Sequence, residues 1–338
     1  MQDFKKLPQP QYIGNKDRVI EWIFFNTPKS KSIFDAFSGS SSVGYFFKRK
    51  GLTVYSNDLL ASSFYVAKAM IENNNITLNN NDIKMLLSDN KHSDTFIADN
   101  FSDIYYTFEE CRFLDNLRTN INNLDDDYKK ALAFTAAYRT MTRKVLFGYF
   151  LHTRALSYRT DKSRVTRNPS IEQNMKDLFL KMVDVYNAAV FDNGRDNKAM
   201  QGNVLDIIKD IKVDTAYFDP PYVGLHPDYQ GYYHFLETFT YYWKDMKLIN
   251  STKMYADKKY SGFTKKSEIV YNLQRLFENA SEIKNWIISY NSRAFPDKDT
   301  MLNLIGQFRK VKLIKYRYTS NFGGMGAKKN SEEYLFIC

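Results

Sequence analysis

The chain has 338 residues, 43% of them apolar, enough for one large α/β domain carrying an insertion or for two modest domains. Its 48 Lys and Arg outnumber 38 Asp and Glu, a net charge of +10. That balance favours a polyanionic partner, nucleic acid or an anionic membrane surface, although a lysine-rich composition alone gives the same sign. The two cysteines, Cys111 and Cys338, argue against a disulfide framework or a cysteine-ligated metal. No apolar run reaches the roughly 20 residues of a membrane-spanning helix, and "MQDFKKLPQPQYIGNK" lacks a signal-type apolar stretch. A soluble cytoplasmic protein with no membrane partner is expected.

In chain order, "KSIFDAFSGSSSVGYFFKRKG" predicts a strand at 33–37, a turn of small residues, and a helix with Val43, Phe46 and Phe47 on one face. A second strand over 52–56 ends at Asn57-Asp58, before another helix. Such a βαβα opening implies a parallel sheet with right-handed crossovers. From about 75 to 198 the rhythm becomes helical, with amphipathic patterns in "TFEECRFLDNLRTNINNL" and "DYKKALAFTAAYRTMTRKVLFGYF" and a basic loop or hairpin in "HTRALSYRTDKSRVTRNPS". Strands resume at "AMQGNVLDII", "DTAYFD", "NWIISY", "KVKLIKYRYT" and "EEYLFI", the last two flanking a glycine-rich hairpin connection, "SNFGGMGAKKNS". The expected fold is α/β: a seven-stranded, mostly parallel, Rossmann-like sheet with a C-terminal β-hairpin, built from 1–75 and 199–338. A mainly helical inserted domain is expected over 76–198.

Ligands of such sheets sit beyond the carboxyl ends of the strands. Three candidate site elements fall there: Phe37-Ser38-Gly39, Asp58, and Asp219-Pro220-Pro221-Tyr222. Small residues after a strand let a ligand approach the backbone, and the next helix offers N–H groups. Asp58 alone reads more readily as a helix cap, but about 20 residues past such a turn an acid at a strand end suits the ribose hydroxyls of a nucleoside. The prolines lack N–H groups and fix φ, so "DPPY" ends the sheet as a rigid, extended peptide. An Asp219 carboxylate and a Pro220 carbonyl can then each accept one hydrogen of a planar exocyclic amine, with Tyr222 stacked on the ring. From Tyr138 to Asn168 eight basic residues (Arg139, Arg143, Lys144, Arg154, Arg159, Lys162, Arg164 and Arg167) face a single acid, Asp161. Interleaved with Tyr and Phe, they suit phosphates and unstacked bases, and they also read as a solvated basic face. His92, His152, His226 and His234 are scattered and form no metal pattern.

The order "YIGNK" (12–16), "FSGSS" (37–41), an insertion, then "DPPY" (219–222) resembles that of the D12-class, Dam-like alpha-group DNA adenine-N6 methyltransferases, over nearly the whole chain. The resemblance implies S-adenosylmethionine as cofactor. Tyr12 and Lys16 would contact it, Asp35 and Phe37, Ser38 and Gly39 would line its methionine side, and Asp58 would hold its ribose. Asp206 would read its adenine, with Ile207 packed nearby. Two positions depart from the pattern: Ser41 replaces the second glycine, and Asn15 stands where many relatives have glycine. The implied reaction is methyl transfer to an adenine flipped out of double-stranded DNA onto Tyr222. The setting would be a restriction–modification system with a cognate restriction endonuclease, or an orphan enzyme. Phe322 is a candidate for the opposite face of the base, Lys328 and Lys329 for phosphate contacts, and "YYHFLETFTYYW" for a lid or a helix bordering the target pocket. Two alternatives stay open: another planar amine (an RNA base or a protein glutamine), or an inactive DNA-binding homologue.

Overall fold

A computed structural model describes residues 7–8, 12–225, 228–320 and 329–338. Its strands are β1 (Ser32–Asp35), β2 (Thr53–Asp58), β3 (Lys198–Gln201), β4 (Thr215–Phe218), β5 (Leu248–Ile249), β6 (Met254–Tyr255), β7 (Asn285–Asn291), β8 (Lys312–Ser320) and β9 (Lys329–Ile337). Seven form one sheet in the order β3-β2-β1-β4-β7-β9-β8, and β5-β6 is a separate ribbon that the sequence pattern did not suggest. The sheet is parallel from β3 to β7, and β9 pairs antiparallel with both β7 and β8. The expected seven-stranded sheet with a terminal hairpin is therefore present. Chain direction reverses its build-up at β1, between β2 and β4, the place where α/β sheets open a crevice at their carboxyl ends.

The chain divides into two units: Met1–Asn15, Leu60–Asp192 and Tyr229–Lys259 in the first, and Lys16–Leu59, Asn193–Asp228 and Tyr260–Cys338 in the second. The second holds the sheet. Strands covered on both faces read as continuous apolar runs, and all four residues of β4 are buried, as are Ile33 and Phe34 of β1 and Trp286 to Ile288 of β7. Each buried Ile or Phe among them contributes about 1.5–3 kcal/mol by leaving water. β1 stops at Asp35, two residues earlier than expected, because the turn takes over. β3 stops at Gln201, where the Asn203 side chain accepts the Leu205 N–H (3.1 Å) and starts the helix Val204–Ile207. "AMQGNVLDII" is thus a strand followed by a helix.

The first unit is helical apart from the β5-β6 ribbon. Its long helices are Phe108–Asn122, opened by a Thr107/Glu110 capping box, Asp127–Lys144, capped by Asp126, and Met175–Ala189, capped by Asn174. The basic segment forms no hairpin. Asp161 accepts the N–H groups of Ser163 (3.0 Å) and Arg164 (3.4 Å) and caps a short helix, Lys162–Arg167. "YYHFLETFTYYW" makes a core helix rather than a lid. His234 to Thr240 are all buried, and Glu237 accepts the N–H groups of Ala61 (3.0 Å) and Ser62 (2.8 Å). Among the described residues no helix is long and apolar enough to cross a membrane, and no acid, His or Cys cluster could hold a metal.

Candidate active site

The strand ends of the second unit bring most of the expected residues together. Asp35 closes β1, is buried, and accepts the Gly44 N–H at 3.0 Å. Burial pushes its carboxyl up to about 7; the Gly44 N–H opposes this, the charges of Asp219 and Asp58 add to it, and Lys16 opposes it. The turn that follows is held by Ser38 N–H to the Asn57 carbonyl (2.9 Å), Ser41 N–H to the Ser38 carbonyl (2.7 Å) and Gly39 N–H to Asp58 Oδ2 (2.8 Å). Asp58 is therefore joined to the glycine turn.

Ser41 has φ +60°, in the left-handed region that costs an L-residue roughly 1–2 kcal/mol. This is the physical reason a glycine suits the second motif position. The Ser38 and Ser41 hydroxyls are buried and have no hydrogen-bond partner among the described residues. Past β2, the Gly202 N–H donates to the Asp58 carbonyl (3.0 Å), and a Cβ at Gly202 would stand 3.1 Å from the Ile207 side chain. Ile207 thus packs beside the end of β3. Asp206 on the same helix is 72% exposed, with Lys209 at 3.7 Å.

β4 delivers Asp219. The prolines take the chain out of the sheet, and the Val223 carbonyl accepts the Phe295 N–H (2.9 Å). The Pro220 carbonyl takes no hydrogen bond from a described residue. Lys16, expected against a cofactor, lies with its Nζ 2.6 Å from Asp219 Oδ2, 3.7 Å from Glu333 Oε1 and 5.1 Å from the centre of the Tyr222 ring. The Tyr222 hydroxyl is 2.8 Å from both Asp219 Oδ1 and Glu333 Oε1, and Ser289 Oγ donates to the same Glu333 oxygen at 2.6 Å. The Tyr222 ring meets Tyr290 edge-on, centres 5.4 Å apart. Burial raises the Asp219 carboxyl, Lys16 opposes the rise and Glu333 adds to it. Burial, then the two carboxylates, hold the Tyr222 hydroxyl well above its usual range. Sequence reasoning missed Glu333 and Ser289. The available signal was an acid directly before the apolar run Tyr334-Leu335-Phe336-Ile337. Of the two adjacent glutamates, Glu332 pairs with the exposed Arg317 (2.8 Å), which turns Glu333 inward by the strand alternation.

Tyr12 belongs to the first unit. It stacks on Tyr233 (4.6 Å, 6°) and Tyr229 (5.6 Å, 19°), while the Tyr233 hydroxyl accepts the Ile13 N–H (2.8 Å).

The basic residues of the same unit divide by exposure. Arg154, Lys162 and Arg167 are exposed. Arg164 lies over Tyr158 and pairs with Asp161 (2.9 Å), Arg143 donates to Ser170 Oγ (2.9 Å), and Arg139 is half-buried. Lys144, expected at DNA, is only 1% exposed, with its ammonium on Glu110 (2.9 Å) and the carbonyls of Ile171 and Gln173. Arg159 bonds the other oxygen of Glu110 at 2.5 Å. These two cations are turned inward because they neutralise a carboxylate that is itself largely buried. Between Lys144 and Arg154 in the sequence, Phe147 is 62% exposed at φ +61° and stacks on Tyr149 (5.8 Å). His226, Phe322 and Lys328, and the side chain of Lys329, lie outside the described residues.

A parallel sheet closed by an antiparallel hairpin, with a glycine turn after β1 and an Asp-Pro-Pro-Tyr end to β4, defines a Rossmann-like methyltransferase fold. The chain belongs to the D12 class N6 adenine-specific DNA methyltransferases, a family that matches residues 12–301, and it is an adenine-specific DNA methyltransferase. It is similar to the Type II methyltransferase M2.HphI of Haemophilus parahaemolyticus, 31% identical over 344 residues that cover 98% of each chain. It is 24% identical to the Modification methylase LlaI of Lactococcus lactis subsp. lactis over 96% of this chain, spanning 54% of that longer protein. With the Type II methyltransferase M.CviAII of Paramecium bursaria Chlorella virus 1 the identity is 23%, over 96% of this chain and 97% of the relative.

Proposed function

We propose that this enzyme transfers a methyl group from S-adenosylmethionine to N6 of an adenine flipped out of double-stranded DNA, as the modification arm of a restriction–modification system or as an orphan. The observation that carries this reading is the meeting of Asp35, Asp58 and Asp219, each at the end of a neighbouring strand, beside a turn with two unpartnered buried hydroxyls. Four carboxylates, Glu333 included, against one Lys16 make a surplus of negative charge that suits a cationic ligand, and the orphaned Ser38 and Ser41 hydroxyls suit a polar one. When bound, S-adenosylmethionine supplies a methyl group activated by a positively charged sulfur. Asp35 and Phe37, Ser38 and Gly39 take its methionine end, Asp58 its ribose hydroxyls, and Asp206 with Ile207 its adenine.

At the target, Asp219 accepts one N6 hydrogen and the Pro220 carbonyl the other. That pairing localises the nitrogen lone pair and stabilises the positive charge gained with the methyl group. N6 becomes acidic only then, so Asp219 receives the proton without having to be a strong base. Tyr222 supplies a stacking face, its ring fixed by Tyr290 and by its hydroxyl bonds. Arg154 and Arg167, with Arg139, Arg143 and Arg164 less exposed, supply phosphate and base contacts from the inserted domain, and Phe147 with Tyr149 an aromatic face. The likeness to a modification methylase, LlaI, supports a cognate restriction endonuclease as partner. The test is to incubate unmethylated DNA with the protein and S-adenosylmethionine, then digest it for nucleoside mass spectrometry. N6-methyldeoxyadenosine is expected; modified cytosine alone, or no modification, would contradict the reading.

A further inference from the structure

The site contains a fourth carboxylate, one that no motif includes. Glu333 is 4% exposed in the middle of β9, opposite Asn291 of β7, and it accepts the Ser289 hydroxyl. The Tyr222 hydroxyl stands 2.8 Å from Glu333 Oε1 and 2.8 Å from Asp219 Oδ1, yet it has one hydrogen to give. It can satisfy either carboxylate without any heavy atom moving. Lys16 spans the same two groups, 2.6 Å from Asp219 and 3.7 Å from Glu333, so both donors on Asp219 have an alternative acceptor on β9.

We propose that Glu333 is a positioning residue for methyl transfer: it takes the Tyr222 hydroxyl, and draws Lys16, when the Asp219 carboxylate turns to the substrate amine. Asp219 then meets the amine with its acceptor lone pairs released, while the Tyr222 ring stays where it was. A buried hydroxyl or ammonium that loses its acceptor is otherwise left unsatisfied, so the exchange needs a second acceptor of this kind. The inference rests on the reading of Asp219 as the amine acceptor.

The test measures single-turnover methylation of unmethylated bacterial chromosomal DNA with tritiated S-adenosylmethionine. Glu333→Gln is expected to slow transfer by about tenfold or more while changing cofactor affinity by less than about threefold. Made in a Tyr222→Phe background, the same substitution is expected to cost much less, since the hydroxyl it serves is gone. Wild-type turnover in Glu333→Gln, or an equal loss in both backgrounds, overturns the proposal. Should Glu333→Gln fail to fold, Glu333→Asp keeps the charge and withdraws it by one methylene; a slowed reaction at an unchanged melting temperature is expected, and an unslowed one overturns the proposal. Asp219→Ala is run alongside. Activity surviving in it refutes the amine-acceptor reading itself, whereas a dead Asp219→Ala beside a normal Glu333→Gln refutes only the role of Glu333.

Discussion

The two units of the chain use charge in opposite ways. At the strand ends of the second unit the charges are acidic, fully or partly buried and held in place: Asp35 by the Gly44 N–H, Asp58 by the Gly39 N–H, and Asp219 by Lys16 and Tyr222. In the first unit the charges at issue are basic and divided. Arg154, Lys162 and Arg167 face solvent, while Lys144 and Arg159 are spent on Glu110. A residue type is therefore a poor guide to role until its exposure is known. The same lysine that reads as a phosphate contact in the sequence is a fold-holding group once a helix buries it.

That contrast can be broken by mutation, and the largest effect belongs to the second unit. Asp219→Ala is expected to lower the methylation rate by at least about 10²- to 10³-fold, with S-adenosylmethionine binding largely kept, as read by single-turnover kinetics and calorimetry. Parallel loss of binding and rate would make Asp219 a structural residue. Next, Lys144→Ala leaves a buried Glu110 with Arg159 alone and is expected to destabilise the fold by about 3 kcal/mol in urea unfolding. An unchanged midpoint would mean that Lys144 is not one of the fold's charges.

Asp35 sharpens the account of the acidic strand ends through pH. Its carboxyl, raised by burial to about 7, is protonated below that pH, whereas a cationic ligand favours the ionised form. Affinity for S-adenosylmethionine is therefore expected to fall by up to roughly tenfold per pH unit as pH drops below about 7, and to level off above it. In Asp35→Asn that dependence should vanish.

In the first unit, Arg154→Ala and Arg167→Ala are each expected to reduce the salt slope of DNA binding by about 1 at unchanged melting temperature. The smallest effect is Ser41→Gly, which relieves a left-handed backbone and is expected to stabilise the chain by about 0.5–1 kcal/mol in the same urea assay.

How much of this was legible in the sequence follows from how local each signal is. The strands around the site were legible because a parallel sheet buried on both faces writes continuous apolar runs, and because a proline pair cannot continue a strand. The termini were less so: β1 gave way to its turn, and Asn203 and Asp161 started helices where a strand and a loop or hairpin were expected, since a side-chain cap outweighs a weak pattern. What could not be read was pairing across the fold. Lys16 meets Asp219 across some two hundred residues of sequence, and Glu333 meets Tyr222 from the last strand. Nothing local in "YIGNK" or "EEYLFI" specifies those partners. For the same reason Lys144 looked like its basic neighbours until Glu110 was beside it.

The most direct test of the central claim is to express the chain, and separately its Asp219→Ala form, in a bacterial host lacking its own DNA methylation, and to sequence the chromosome by long reads that register modified bases. The account predicts N6-methyladenine at one recurrent sequence with the unaltered chain and none with Asp219→Ala. Unmodified adenine in both strains, or equal modification in both, would contradict it.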